Sequence, residues 1–179
     1  MKLLRFFIVM VLAAAVAGCG YTYKSMLPDK LDSIHVQNFV NKINPDKDVS
    51  SRRPTYSYWP GLETDVTRAV IDGFIFDRHL YIKSKKDAAM LLVGELVDFR
   101  QLPLSYDKGD SVVEYRVEVF VDLKLYDQLS GELMWAENRF MGWSSYNVSG
   151  PNAVSEGVGV KNAVKDLAQR VVERVVEAW

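Results

Sequence analysis

The clearest pattern in this chain is an alternation of apolar and polar residues between positions 113 and 125. Apolar or aromatic side chains occupy seven consecutive odd positions in this segment: Val113, Tyr115, Val117, Val119, Val121, Leu123 and Leu125. Charged residues occupy most of the even positions between them. Because successive side chains of a β-strand point to opposite faces, the pattern predicts a long strand with one buried face and one polar face.

Weaker alternation predicts further strands at residues 33–40, 80–83 and 90–100. Residues 127–131 contain the Asp and Gly typical of a tight connection, so residues 132–141 are predicted to return antiparallel. The alternation places two sets of side chains on opposite faces of that strand: Leu133, Trp135 and Arg139 on one, and Met134, Ala136 and Phe140 on the other. Residues 102–110 and 142–151 are predicted to be turns or loops.

Two segments instead repeat apolar residues every three or four positions. One spans residues 61–77 and the other residues 152–179, and each predicts an amphipathic helix. Two helices with one apolar face each need a single apolar sheet face to cover. We therefore expect an α+β two-layer sandwich, in which a mostly antiparallel sheet of four to five strands carries two helices on one face. The other sheet face would be left for solvent or a partner.

The N-terminus has the layout of a secretory signal peptide, with Lys2 and Arg5 followed by an apolar run to residue 17. This run is too short for a transmembrane helix, which needs about 20 apolar residues. Val16-Ala17-Gly18-Cys19 resembles the bacterial lipobox, which implies cleavage before Cys19 and an N-acyl diacylglycerol group on its thiol. The alternative is that Cys19 is an ordinary buried thiol.

These features divide the chain into a signal peptide at 1–18, a lipidated tether at 19–30 and one domain at 31–179. Gly20 follows the lipidated cysteine, which resembles the pattern of lipoproteins that leave the inner membrane. The expected location is therefore the outer membrane, at its periplasmic face. A formal net charge of −1 differs from the strongly basic balance of nucleic-acid-binding domains, so no nucleic-acid partner is expected.

The residues supply no recognisable catalytic set. His35 and His79 lie far apart in the sequence and neither has a companion at ligand or catalytic spacing. We therefore expect that the protein is not an enzyme, binds no metal and carries no cofactor other than the lipid on Cys19.

Two basic clusters are candidate contacts for lipid or a partner protein. Arg52 and Arg53 lie near Trp59 in a long segment at 41–60, and loops of that length are often functional. Lys83, Lys85 and Lys86 form a second cluster. Cationic groups suit phosphorylated lipid, and neighbouring aromatic rings suit acyl chains or protein. The alternative for each cluster is an ordinary solvated loop.

The order of several short motifs resembles the lipopolysaccharide-assembly lipoproteins of the LptE-like family. The motifs are Cys19-Gly20-Tyr21, Leu27-Pro28, Ile34-His35-Val36-Gln37-Asn38-Phe39, Pro60-Gly61-Leu62, Asp87-Ala88-Ala89-Met90-Leu91-Leu92-Val93-Gly94-Glu95-Leu96, Glu114-Tyr115-Arg116-Val117 and Gly131-Glu132-Leu133-Met134-Trp135. The resemblance implies a sandwich that inserts into an outer-membrane β-barrel of the lipopolysaccharide translocon, with lipopolysaccharide as a candidate ligand. The resemblance implies no catalytic residue, and the only functional residue that it identifies in this chain is Cys19, as the lipidation site.

Two other functions are alternatives to this one. A lipoprotein activator of a cell-wall (peptidoglycan) synthase would share the lipid anchor and the α+β domain. The eleven residues at 20–30 span at most about 40 Å, which is short for reaching peptidoglycan from the outer membrane. A small periplasmic hydrolase would require the catalytic set that the sequence lacks.

The lipid anchor can be tested directly. Replacement of Cys19 by Ser removes the only thiol in the chain, so the acyl groups should be lost and the protein should leave the membrane fraction. Each buried methylene contributes about 0.8 kcal/mol to anchoring, so loss of the acyl chains should release the protein. Intact-mass spectrometry and membrane fractionation measure both effects, with Gly20→Ala as the control that keeps its lipid. An unacylated wild-type protein would contradict the prediction.

Overall fold

A computed structural model describes residues 31–43 and 59–177 of the chain. Within them the elements follow one another in this order: β1 (Ser33–Val36), β2 (Val40–Asn41), α1 (Leu62–Asp77), β3 (Tyr81–Ile82), β4 (Met90–Tyr106), β5 (Val112–Asp127), β6 (Leu133–Asn147) and α2 (Glu156–Val176). The predicted α+β sandwich is confirmed.

The strands form one mixed sheet in the order β3-β1-β4-β5-β6, and β2 pairs with β4 beside β1. The long strands β4, β5 and β6 are antiparallel, whereas β1, β2 and β3 run parallel to their neighbours. The sheet has six strands in the described residues where four to five were expected. The predicted strand at 33–40 is divided because the Phe39 amide leaves the ladder and donates to Thr67 Oγ1 of α1 at 2.9 Å.

Two of the long strands extend beyond their predicted ends. β4 continues to Tyr106 and β6 continues to Asn147, so the prediction of loops at 102–106 and 142–147 was wrong. Pro103 and Gly142 interrupt the alternation in the sequence. Pairing with β5 nevertheless holds both segments in the sheet, with Pro103 opposite Tyr115 and Gly142 opposite Val119.

A bulge in β6 reverses the predicted facing of two side chains. Glu137 pairs with Leu123 and Phe140 pairs with Val121, so two residues of β6 lie opposite Asp122 alone. At this bulge Arg139 has φ 54°, and its amide donates to Asp122 Oδ1 at 2.7 Å. Phe140 therefore packs with the core and Arg139 projects from the opposite face. The prediction for Arg139 and Phe140 was wrong because one extra residue inverts the alternation.

The core lies between the sheet and the two helices. α1 buries Leu62, Val66, Val70 and Phe74, and α2 packs beside it over β5 and β6. The buried residues of α2 include Val160, Ala163, Val164, Leu167, Ala168, Val171, Val172 and Val175. Both amphipathic stripes thus face the same side of the sheet, as the sequence predicts.

The start of α2 is fastened to the end of β6. The buried Tyr146 stacks on Tyr115 with ring centroids 5.9 Å apart, and its hydroxyl accepts a hydrogen bond from Gln101. Burial raises the pKa of Tyr146 and keeps its phenol neutral. Ser144 Oγ donates to the carbonyl of Gly159 at 2.7 Å. Helix and strand are therefore joined through polar as well as apolar contacts.

The close approach of α2 to the sheet depends on Gly142. A Cβ at this position would lie 2.4 Å from the Cα of Leu167, so Gly142→Ala must push the helix away. Overpacking of this kind costs about 1–3 kcal/mol in free energy of unfolding, measurable by urea denaturation. Gly157→Ala is the control, because its added Cβ would meet Trp59 at 3.5 Å, an ordinary contact distance. Equal stability of the two variants would contradict this packing.

Candidate functional site

The open face of the sheet, meaning the side of β4, β5 and β6 opposite the helices, carries an ordered group of charged and aromatic side chains. Its central members are Asp98, Arg100, Arg116, Glu118, Phe120, Arg139 and Trp143. They reach this face by strand alternation on β5 and by the bulges in β4 and β6. Neither helix packs here, because the buried stripes of both helices belong to the core on the other side.

Three arginines of the open face lie over aromatic rings. The guanidinium carbons of Arg100 and Arg139 lie 5.1 and 4.6 Å from the centroid of Phe120, which sits on the strand between them. Arg116 lies 4.6 Å from the ring of Trp143 in the same way. Cation–π contact of this kind contributes about 0.5–1 kcal/mol at exposed sites and holds the planar guanidinium in a defined orientation.

One buried carboxylate holds two of these arginines. Asp98 Oδ2 accepts a hydrogen bond from Arg139 Nη2 at 2.8 Å and forms an ion pair with Arg100 Nη2 at 2.7 Å. The Asp98 side chain is only 8% exposed. The second oxygen, Oδ1, is buried without a partner among the described residues. Because one negative charge serves two positive charges, the group of three side chains keeps a formal charge of +1.

Each of the three arginine side chains is partly exposed, so some of its donors are available to a partner, although Arg116 Nε is buried. The Arg139 side chain is half exposed, and the Arg116 Nη1 lies 3.9 Å from Glu118 Oε1, beyond good hydrogen-bonding distance. A guanidinium fixed in orientation can bind a carboxylate or a phosphate through two parallel hydrogen bonds. The open face can therefore bind an acidic group of a protein or of a lipid.

Those sequence-predicted site residues that the structure describes lie away from the open face. Cys19, Arg52 and Arg53 lie outside the described residues. Trp59 is half-buried and packs against the core, with its Cη2 3.5 Å from where a Cβ on Gly157 would lie. Its described contacts are thus with the start of α2.

The predicted lysine cluster lies on the connection between β3 and β4, and all three lysines are exposed. Lys83 Nζ lies 3.7 Å from Asp32 Oδ1, and the ring of His35 donates from Nδ1 to the Lys83 carbonyl at 3.1 Å. Lys85 and Lys86 make no ion pair within residues 31–43 and 59–177. The lysine cluster therefore lies on a connection between strands, whereas the arginines of the open face lie within β4, β5 and β6.

Sequence reasoning missed Arg100, Arg116 and Arg139 as a group. Arg116 occupies a polar position in the alternating pattern of β5, so the sequence predicts that its side chain faces away from the core. The sequence does not predict that Arg116 lies near the other two arginines, because their proximity depends on strand register and on two bulges.

The other titratable side chains form no metal centre. The described part of the chain contains no group of three or more His, Cys, Asp or Glu residues placed to bind a metal ion. His79 Nδ1 lies 2.8 Å from Asp77 Oδ2 in an exposed pair beside the end of α1.

Neither α1 nor α2 has both the length and the apolar composition that crossing a membrane requires.

Comparison with known families identifies the domain. The model of the LptE lipopolysaccharide-assembly family matches residues 31–178, which include all the described elements. The chain is a member of the LptE family. This confirms the resemblance carried by the sequence motifs. LptE-family proteins are non-enzymatic outer-membrane lipoproteins of lipopolysaccharide assembly.

Solved structures share the fold of this LptE-family chain at low identity. A protein described as a lipoprotein from Caulobacter crescentus is 13% identical, with a TM-score of 0.51, over 83% of this chain and 92% of that one. A protein from Xanthomonas campestris is 10% identical, with a TM-score of 0.52, over 84% and 89%. A search of curated proteins found no significant match.

The shared carboxylate of the open face yields a stability prediction. Asp98→Asn leaves two guanidinium groups without their charged partner, and we expect unfolding free energy to fall by about 1.5–3 kcal/mol. A double-mutant cycle with Arg139→Gln should give a coupling energy above about 0.5 kcal/mol. Asp32→Asn is the matched control, because its 3.7 Å pair with Lys83 is exposed and should contribute little. Equal effects at both positions would contradict the arrangement.

Proposed function

We propose that this LptE-family protein is lipidated at Cys19, partners an outer-membrane β-barrel translocon and helps to deliver lipopolysaccharide to the cell surface. The observation that best supports this proposal is the open face. Aromatic rings orient its three arginines, and a buried carboxylate pairs with two of them. Family membership supports the general role in lipopolysaccharide assembly.

The composition of the open face supports contact with a protein. Arginine and tryptophan are enriched among the residues that dominate binding energy at protein interfaces. The face lies on three paired strands of 15 to 17 residues, which form a rigid support. The interior of a membrane β-barrel is polar, so a domain that enters it must present polar or charged groups to the wall. The open face satisfies that requirement better than the apolar core side does.

Lipopolysaccharide is the second proposed partner. Its phosphates would be bound by cationic side chains, for which Arg52, Arg53, Lys83, Lys85 and Lys86 are the proposed contacts. Lys85 and Lys86 are supported by their exposure and by the absence of ion pairs to described residues. Trp59 is also a proposed contact. Its packing against the core favours a role in positioning the residues next to it in the sequence.

Affinity purification of the full-length lipoprotein from detergent-solubilised membranes tests the barrel partnership. A large β-barrel protein should co-purify with the wild type, and Trp143→Ser should lower its recovery about tenfold or more, as loss of an interface hot spot does. Lys161→Glu is the control on the exposed face of α2. Circular dichroism should show that both variants remain folded.

Repeated recovery without any barrel protein would contradict the proposal. Recovery of a peptidoglycan synthase instead would support the alternative function as an activator of cell-wall synthesis.

Depletion of the protein provides an independent test of its role in transport. If it assists delivery, lipopolysaccharide at the cell surface should fall while total lipopolysaccharide is retained inside the envelope. Surface labelling before and after depletion measures the ratio, and complementation with Trp143→Ser should restore it less well than Lys161→Glu does. An unchanged surface fraction would contradict a role in delivery.

A further inference from the structure

Arg139 has a backbone conformation that glycine adopts more easily than arginine. Its φ of 54° lies in the left-handed region, which the Cβ of an L-residue disfavours. Two other non-glycine residues in the described part of the chain, Arg78 and Asp110, also have positive φ. Arg78 ends α1 and Asp110 lies in the turn between β4 and β5, where left-handed residues are common. Of these three residues, only Arg139 lies inside a strand.

The bulge in β6 does not by itself require an arginine. Where a bulge places a residue at positive φ, that residue is usually glycine. The hydrogen bond from the Arg139 amide to Asp122 Oδ1 is a backbone bond, which glycine makes equally well. The guanidinium is therefore what arginine adds at this position. Residues held in a disfavoured conformation cluster at functional sites, where the surrounding structure keeps them in place.

The guanidinium of Arg139 is held next to that of Arg100. Both lie over the ring of Phe120, which is buried although neither helix covers this face of the sheet. Both also reach the same oxygen of Asp98, at 2.8 and 2.7 Å, so their Nη2 atoms are close neighbours. The Arg139 side chain is half exposed. The pair therefore presents two oriented guanidinium groups at one point of the surface.

The charges around this pair match one negative charge. Asp98, Arg100 and Arg139 together have a formal charge of +1, which a single carboxylate neutralises. The wider centre of the open face carries three arginines and three acids, whose formal charges cancel: Arg100, Arg116, Arg139, Asp98, Glu118 and Asp122. A surface with no net charge does not attract a dianionic phosphate from a distance. The pair is therefore suited to a carboxylate that a partner protein brings into direct contact.

We propose that Arg139, together with Arg100, binds one carboxylate side chain on the inner wall of the barrel partner. This inference rests on the proposed function, in which the open face meets that wall. The interior of a membrane β-barrel is lined by polar and charged side chains, so acidic groups are available there. Arg139 is then a specificity-determining residue, because its planar guanidinium binds a carboxylate through two parallel hydrogen bonds.

Two substitutions separate the guanidinium from the backbone that carries it. Arg139→Ala removes the guanidinium and keeps a Cβ at positive φ, whereas Arg139→Gly removes both. The folding equilibrium constant of Arg139→Gly, measured by urea denaturation, should exceed that of Arg139→Ala about fivefold. Recovery of the barrel with the full-length lipoprotein should nevertheless fall about tenfold or more in both variants. Wild-type recovery by Arg139→Gly would show that Arg139 is only structural and would overturn the inference.

Cross-linking tests the chemistry of the group that Arg139 contacts. A water-soluble carbodiimide activates a carboxylate and joins it as an amide to an amine in direct contact. Arg139→Lys supplies an amine on the open face, and Arg68→Lys supplies one on the exposed side of α1 as the matched control. After treatment of the co-purified complexes, mass spectrometry should find position 139 joined to an Asp or Glu of the barrel. Position 68 should be joined to none.

The outcomes separate this inference from the proposed function. If the wild-type lipoprotein recovers no barrel protein, both fail together. If the Arg139→Lys complex is recovered and position 139 is joined only to Asp98 of the same chain, the inference fails and the barrel partnership stands. If Arg139→Ala keeps its barrel partner and loses binding of purified lipopolysaccharide, the arginine pair binds phosphate, and its assignment to a carboxylate is overturned.

Discussion

The pairing of β5 with β4 and β6 along nearly its whole length is the interaction on which this domain depends. Its odd-numbered residues from Val117 to Leu125 are fully buried and form part of the floor on which α2 lies, while α1 lies beside α2 over β1 and β3. Its even-numbered residues, among them Arg116 and Phe120, face the other way and form the centre of the open face. β5 thus supplies residues to both the core and the open face. Its register with β4 and β6 determines which residues of those two strands join the core and which join the open face.

Close packing of α2 on this sheet requires positions without side chains. Gly142 lies directly beneath Leu167, and Gly159 lies against the ring of Tyr146. These contacts bring the helix near enough to β6 for its valine and alanine stripe to be buried, although those side chains are small. These two glycines therefore set how closely α2 can approach β6.

The open face differs in chemistry from the end of the sheet where β3 and β4 begin. The open face presents oriented guanidinium groups that favour acidic partners, while that end presents exposed apolar side chains such as Phe76 and Leu129. A member of the LptE family acts in the assembly of lipopolysaccharide, a molecule that is both anionic and apolar.

The fold class could be predicted from the chain's pattern alone, because alternation at 113–125 and helical stripes at 61–77 and 152–179 report burial directly. It also carried the motifs of the family, and the lipid site at Cys19 stays a prediction from those motifs. The lengths of β4 and β6 and the direction in which Arg139 points depend instead on pairing between strands. A bulge inserts one residue and inverts the alternation, and nothing in a strand's own periodicity reveals it. The constellation of Asp98, Arg100, Phe120 and Arg139 follows from that bulge, since its members come from three strands and meet only in one register.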